Sequence, residues 1–154
     1  MENIRKQKGF SLIEVLAVMA IGAVLIGLAT TYYSNSQVRT DIHSQASNLV
    51  HYLRLSQSAA ISGQDNANHG IHFDENGYTV FVGTEYDEEE TSNVVKNLDG
   101  TLFFSEINLN GGGYDVIFEK GTGETENHGT ITISSSAITK EISITINSIG
   151  TINY

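Results

Sequence analysis

The 154-residue sequence contains no cysteine, no proline and no tryptophan. Without cysteine the chain can form neither a disulfide nor a thiolate metal site, so an exported domain depends on packing and hydrogen bonds alone. Without proline the chain lacks the strongest helix breaker, which allows an unusually long helix. The length suits one domain with an anchoring segment and is too short for two full domains.

Basic residues are scarce and unevenly placed. The chain has 8 Lys and Arg against 18 Asp and Glu, a formal net charge of -10. Arg5, Lys6, Lys8 and Glu2 lie in the first nine residues, which leaves five basic and seventeen acidic side chains, a net of -12, in the rest. An acidic surface repels a phosphate backbone, so we expect no nucleic-acid partner.

An apolar run follows the basic segment. Residues 15–29 contain no polar side chain, and extending the run back to Phe10 gives twenty residues interrupted only by Ser11 and Glu14. As a helix with a rise of about 1.5 Å per residue, this stretch is about 30 Å long, the hydrocarbon thickness of a bilayer. The preceding basic residues predict a single-pass span with its N-terminus in the cytoplasm and the remaining chain outside.

Three kinds of N-terminal segment share this pattern. A secretory signal peptide is cut after the apolar run, here near Ala29; a signal anchor is not cut; a third kind of leader is cut before the run. Glu14 favours the third, because a carboxylate in an apolar helix costs about 2.5–3.5 kcal/mol at the bilayer centre and needs a partner. Cleavage between Gly9 and Phe10 would create one, an α-amino group one helical turn from Glu14 that could meet Glu14 of a neighbouring chain.

Residues 8–16, which read KGFSLIEVL, resemble the type III signal of type IV prepilins and type II secretion pseudopilins. That family has a short basic leader ending in Gly, then Phe, then an apolar stretch with Glu at the fifth mature position. The resemblance implies that a prepilin peptidase cuts after Gly9 and methylates the new amino group of Phe10, and that Glu14 acts in assembly. It also implies other pilin or pseudopilin subunits and an inner-membrane assembly platform as partners, and a final location in an extracellular or periplasmic filament.

The next segment, residues 31–62, predicts the continuation of the helix. It contains no Gly or Pro, and Gly63 follows where a C-cap is expected. Apolar residues on one face recur mostly at helical spacing: Val38, Ile42, Ala46, Leu49, Leu53, Ala60 and Ile61. We therefore expect a helix from about Phe10 to Ser62 whose second half packs on its own domain.

From Gly70 onward the apolar period changes to two. The dipeptide Asn76-Gly77 between two apolar runs predicts a hairpin. Alternation of Ile142, Ile144 and Ile146 with polar residues predicts one buried and one exposed face. The predicted strands are 71–73, 78–82, 94–97, 101–107, 114–119, 130–134, 140–147 and 151–154.

These patterns together predict an α+β fold, a lollipop with a long N-terminal helix as its stick and an antiparallel β-rich head. The predicted divisions are a leader (1–9), a transmembrane or filament-core half of the helix (10–30), an amphipathic half (31–62) and the head (63–154). Residues 49–61 and the final strand–Gly150–strand pattern are also similar to the minor pseudopilin H and FimT-like group. Some members of that group bind DNA through basic residues near the C-terminus, where this chain has only Lys140.

Residue patterns typical of catalysis or metal binding are missing. The five histidines are scattered without metal-ligand spacing, and His69 and His72 are interpreted as polar surface residues. The acidic run Asp87, Glu88, Glu89 and Glu90 is interpreted as a solvated loop, with calcium binding as the alternative. We expect a filament subunit, preferably a minor one, and no enzyme, cofactor or metal site. The alternatives are a major pilin and an exported ligand-binding module with a conventional signal peptide.

Overall fold

The computed structural model describes the backbone of residues 9–154 and their side chains apart from those of 29–35. The predicted leader therefore lies outside the described residues except for Gly9. The chain divides into two compact units with a boundary between Ser36 and Gln37, and each is described by itself.

One α-helix, α1, runs from Leu12 to Ser62. It begins two residues after the predicted start, because the carbonyl of Ser11 accepts the first helical hydrogen bonds, from the amides of Glu14 (3.0 Å) and Val15 (3.2 Å). It ends where predicted. Gly63 adopts the left-handed conformation with φ 67°, in which the absence of a Cβ avoids steric strain, and this confirms the predicted C-cap.

All eight predicted strands are present among the described residues, after a short 3-10 turn at Gln64–Asn66. They are β1 (His69–Asp74), β2 (Gly77–Val82), β3 (Val94–Asn97), β4 (Leu102–Leu109), β5 (Asp115–Phe118), β6 (Gly129–Ser135), β7 (Glu141–Ile146) and β8 (Ile152–Asn153). Sheet A has the order β3-β2-β1-β5 and sheet B the order β4-β6-β7-β8. All pairings are antiparallel, which confirms the α+β class and the β-rich head.

The hydrophobic core contains one face of α1 together with apolar side chains from both sheets. Ile142, Ile144 and Ile146 of β7 are buried and the residues between them are exposed, as the alternation predicts. The buried members from α1 are Ile42, Ala46, Leu49, Val50, Leu53 and Ala60. The two sheets thus share one core with the helix, and none of the three elements could bury its apolar face alone.

The predicted apolar face of α1 needs two corrections. Val50 is 2 % exposed although it was not assigned to that face, and Ile61 is 51 % exposed although it was. Two sheets flank the helix, so the buried face is wider than a single stripe and includes Val50. Ile61 lies in the last turn, where the neighbouring chain segment is the loop at Gly123 and covers only part of the side chain.

Polar contacts hold α1 to the C-terminal residues. The hydroxyls of Ser47 and Tyr154 are hydrogen bonded at 2.9 Å, and Arg54 donates to the carbonyl of Ile152 at 3.3 Å. β8 has only two residues and pairs with β7 alone. These hydrogen bonds therefore help to hold the C-terminal residues against the helix.

The predicted hairpin is present, but Gly77 has a different role from that of a turn residue. Asp74 pairs with Gly77, so the two-residue loop is Glu75–Asn76 and Gly77 is the first residue of β2. A Cβ on Gly77 would lie 2.6 Å from the backbone oxygen of Lys96. The glycine therefore permits the close approach of β3.

Gly129 is a second glycine that close backbone packing requires. A Cβ at this position would lie 2.0 Å from the carbonyl oxygen of Asn108 in β4. We expect Gly129→Ala to lower the free energy of unfolding by about 1–3 kcal/mol, because the β4–β6 pairing must shift. The control is Gly100→Ala, whose Cβ would meet no atom within 4 Å and which should change stability by less than about 0.5 kcal/mol. Urea denaturation of the detergent-solubilised full chain measures both, and equal stabilities would contradict this role for Gly129.

Burial raises the pKa of Tyr78 to about 12, with a smaller contribution from the neighbouring Tyr52. The fold therefore favours the neutral phenol, whereas the unfolded chain ionises near pH 10. The resulting stabilisation is present below pH 10 and is lost as the pH rises toward 12. Between pH 8 and pH 11.5 we expect the wild-type free energy of unfolding to fall by about 1–2 kcal/mol more than that of Tyr78→Phe. Chemical denaturation at both pH values measures the difference. Equal losses in the wild type and in Tyr78→Phe would show that folding does not raise the pKa of Tyr78.

Candidate processing and assembly site

The residues of the predicted cleavage site precede α1 and belong to no regular element. Gly9 stands in open space, since a Cβ added to it would meet no atom within 4 Å. Phe10 is 85 % exposed. The peptide bond between Gly9 and Phe10 is therefore accessible, as a peptidase requires. Their roles in cleavage and methylation stay predictions.

Glu14 lies in the first turn of α1. An acidic side chain at this end of a helix interacts favourably with the partial positive charge of the unpaired backbone amides. The carboxylate is exposed, and within residues 9–154 it forms no ion pair. A positive partner for Glu14 would therefore have to come from elsewhere, and its role in assembly also stays a prediction.

Phe10 and Glu14 line the same open groove on the surface of the N-terminal unit, which ends at Ser36. The groove is also lined by Val15, Val18 and Met19. Phe10, Glu14 and Val18 are spaced by four residues, and this places them on one side although the helix begins only at Leu12. The structure thus brings together two of the three predicted site residues, with one carboxylate in an otherwise apolar surface.

The segment around this site has an apolar surface that it does not bury. Every large apolar side chain from Phe10 to Leu28 is exposed, from 48 % for Val15 to 85 % for Phe10. A contiguous apolar surface of this size is typical of a protein–protein or membrane contact. Among the described residues, no helix meets the combined length and apolarity that crossing a membrane requires.

A polar cluster that the sequence analysis missed lies in the head. Nδ1 of His72 is 2.6 Å from the carboxylate of Asp115, and Nε2 is 3.5 Å from that of Asp74. The imidazole stacks on Tyr86, with ring centroids 4.0 Å apart and planes inclined by 8°. This arrangement links β1, β5 and the loop after β2. The antiparallel pairing of β1 with β5 places His72 opposite Asp115, a contact across 43 residues that local spacing does not indicate.

The interpretation of His69 and His72 as polar surface residues was wrong. His69 is 4 % exposed, and its Nε2 lies 3.1 Å from the backbone oxygen of Gln64. His72 is half-buried. The physical reason is that His69 shares the core face of β1 with Ile71 and Phe73, whereas Tyr86 of the loop after β2 covers His72 on the other face. Alternation in sequence identifies two faces but does not show that both are covered.

The acidic run 87–90 is exposed, as expected of a solvated loop. Its backbone is ordered by local bonds, since the amide of Glu89 donates to Oδ1 of Asp87 at 3.0 Å. Within the described part of the chain, no three His, Asp or Glu side chains are grouped so that they could hold a metal ion.

One family model, described as the prokaryotic N-terminal methylation motif, matches residues 4–30. The match includes Gly9, Phe10 and Glu14. No curated protein and no solved structure matches the chain.

Proposed function

We propose that this chain is a structural subunit of a type IV pilus or a type II secretion pseudopilus and that it is not an enzyme. The methylation motif at residues 4–30 supports the type IV pilin and pseudopilin family and is the observation that carries the proposal. The open surroundings of Gly9, the exposed Phe10 and the absence of an ion pair at Glu14 within residues 9–154 agree with it.

The first step is processing by the prepilin peptidase. Water adds across the peptide bond between Gly9 and Phe10, which releases the leader with a new carboxylate on Gly9 and leaves an α-amino group on Phe10. A sulfonium methyl donor then supplies one methyl group to that nitrogen. The methylated amine remains basic and can carry a positive charge beside the groove that Phe10 and Glu14 share.

The second step is assembly, in which the new charge and Glu14 become partners across subunits. An ion pair removed from water is stable only when both charges are matched and hydrogen bonded. In a bundle of parallel apolar helices, the amine of one chain can meet Glu14 of the next, and a helix shifted along the bundle would leave both charges unpaired. The pair would therefore set the axial register of neighbouring subunits, while apolar contact keeps the helices out of water.

Before assembly, the same apolar surface would hold the subunit in the inner membrane. The methylation motif implies such an anchor, and the basic residues Arg5, Lys6 and Lys8 favour a cytoplasmic N-terminus. The membrane and the filament core offer the apolar surface equivalent cover. Moving the helix from the membrane into the filament therefore changes the free energy of apolar burial only a little. The ion pair that Glu14 forms in the filament can then favour the assembled state.

Within the family, we propose a minor subunit similar to pseudopilin H and FimT-like proteins. The support is the sequence of residues 49–61 and the C-terminal pattern, in which Gly150 with φ 80° makes the turn between β7 and β8. A major pilin is the alternative within the same class.

The mature N-terminus tests the proposal directly. We expect mass spectrometry of the protein isolated from its native membrane to show N-methylphenylalanine, derived from Phe10, as the first residue. The matched control is the same host without prepilin peptidase, in which residues 1–9 should be retained. A mature chain that begins near Thr30 would instead identify an exported module with a conventional signal peptide and would overturn the filament proposal.

Removal of the Glu14 carboxylate tests the assembly step. We expect Glu14→Ala to insert into the membrane and to be processed normally but to enter filaments at least about ten-fold less, because the amine of its neighbour is left unpaired. Glu119→Ala is a matched control that removes an exposed carboxylate from the head. Quantitative immunoblots of membrane and sheared-filament fractions measure the distribution. Incorporation of both variants at the wild-type level would remove Glu14 from the mechanism.

A further inference from the structure

β3 is one of the two edge strands of sheet A and pairs only with β2. The amide of Leu98 donates to the carbonyl of Asn76 at 2.9 Å, so Leu98 turns its backbone toward β2. In an antiparallel pair this direction alternates along the strand, and Val94 and Lys96 therefore also turn toward β2. It follows that Val95 and Asn97 direct their N–H and C=O groups away from the sheet.

This edge lacks the features that commonly protect an edge strand. Protein edges are usually blocked by Lys, by Pro, by a bulge or by a covering segment. The chain has no Pro, and the ammonium of Lys96 lies over the ring of Tyr52 at 5.1 Å from its centroid. Val94 and Val95 are 45 % and 62 % exposed. The result is a short strand with two exposed valines, and its outward backbone groups have no hydrogen-bond partner among the described residues.

An acidic turn is fixed at the beginning of the same strand. Asn93, the residue before β3, donates its amide to the carbonyl of Glu90 at 3.2 Å and its Nδ2 to that of Asp87 at 2.7 Å. These bonds hold residues 87–90 against the start of β3. All four side chains are exposed, and none forms an ion pair with Lys or Arg among the described residues.

The other end of the acidic loop is also anchored. Tyr86 stacks on His72 and meets the ring of Phe81 edge-on at 5.7 Å. Phe81 is 2 % exposed and lies outside the main core, so the loop covers a separate apolar contact on sheet A. The acidic turn is therefore held between two attachments, at Tyr86 and at Asn93, and its negative charge has a defined place beside the open edge.

We propose that the outer edge of β3 is a docking site for an extended, basic segment of another protein, which adds to sheet A as a fifth strand. Backbone hydrogen bonds to Val95 and Asn97 would supply affinity, as in other cases of strand addition. Lys or Arg at one end of the added segment would face residues 87–90, and this charge complementarity sets the orientation of the segment. The proposal depends on the head alone and not on the filament function.

The charges argue against a second copy of this chain as the occupant. Antiparallel pairing of two β3 edges would place each acidic turn near residues 98–99 of the other copy, where Asp99 is exposed. Like charges at that position are unfavourable. A basic segment from a different protein avoids this repulsion.

Amide hydrogen exchange of the full chain in detergent micelles tests the edge geometry first. Without a ligand, the amides of Val95 and Asn97 should exchange much faster than those of Val94 and Lys96, because only the amides of Val94 and Lys96 donate hydrogen bonds to β2. The probe is a synthetic peptide with two lysines followed by alternating valine and threonine. Its addition should protect Val95 and Asn97 selectively.

Variants and a matched peptide test the docking itself. Val95→Pro removes an N–H that β2 does not use, so the fold is kept and binding should fall at least about ten-fold. Val95→Thr retains that N–H and should bind as the wild type does. A peptide with glutamates in place of the lysines should bind at least about ten-fold more weakly at low salt, and the difference should shrink near 0.5 M salt.

Three results would each overturn the proposal. They are the absence of lysine-peptide binding, equal binding of the two peptides at low salt, and undiminished binding to folded Val95→Pro. If that variant loses its fold, the wild-type exchange experiment decides, since protection confined to residues other than Val95 and Asn97 would place the peptide elsewhere.

Discussion

One apolar face of α1, from Ile42 to Ala60, is buried in the core that the helix shares with the two sheets, whereas the large apolar side chains between Leu12 and Leu28 are exposed. A fully buried Leu or Ile contributes about 1.5–3 kcal/mol, so the buried face accounts for much of the stabilisation of the head. Both sheets pack on this helix face as well as on each other, where Phe73 meets Phe104, and the C-terminal residues are fixed to the polar side of the helix by Ser47 and Arg54. The architecture of the head therefore depends on the contact between α1 and the sheets.

The apolar side chains in the first half of α1 are exposed in this chain by itself, and removing them from water requires another molecule. Lipid and neighbouring apolar helices can both do this, and neither distinguishes one axial position of the helix from another. In the filament that we propose, Glu14 would distinguish these positions, because a carboxylate removed from water is stable only opposite a positive charge. In that proposal the non-directional apolar surface would hold the helices together, and the one charged residue would set their register.

Much of this could be predicted from local sequence patterns. Periodicity identified α1 to its last residue and every strand of the head in order, since each element shows its own spacing of apolar residues. The candidate processing and assembly residues rest on the same kind of local evidence, a carboxylate in an apolar run and a Gly-Phe junction, and their roles stay predictions. Where the pattern depends on neighbours far along the chain, prediction failed. The wider buried face at Val50 requires knowledge that two sheets flank the helix.

The histidines show the same limit more clearly. The pairing of His72 with Asp115 follows from the position of β1 beside β5 in sheet A, and His69 is buried because it shares the core face of β1 with Ile71 and Phe73. Alternation along β1 is compatible with an inner or an outer strand, and strand order is determined by the contacts of all four strands together. Local sequence therefore predicts which residues form a strand better than it predicts which strands lie at the edge of a sheet. The open edge of β3 could not be predicted for this reason.

Charge adds a constraint on how such heads can be arranged. Residues 37–154 contain five Lys and Arg and sixteen Asp and Glu, and in the described part of the head no Lys or Arg is paired with a carboxylate. Identical heads stacked side by side would repel each other over roughly 8 Å at physiological ionic strength. Apolar contact between helices can exceed this repulsion, but a neighbour with a basic surface removes it. The charge of the head therefore favours a neighbour with a basic surface over an identical copy.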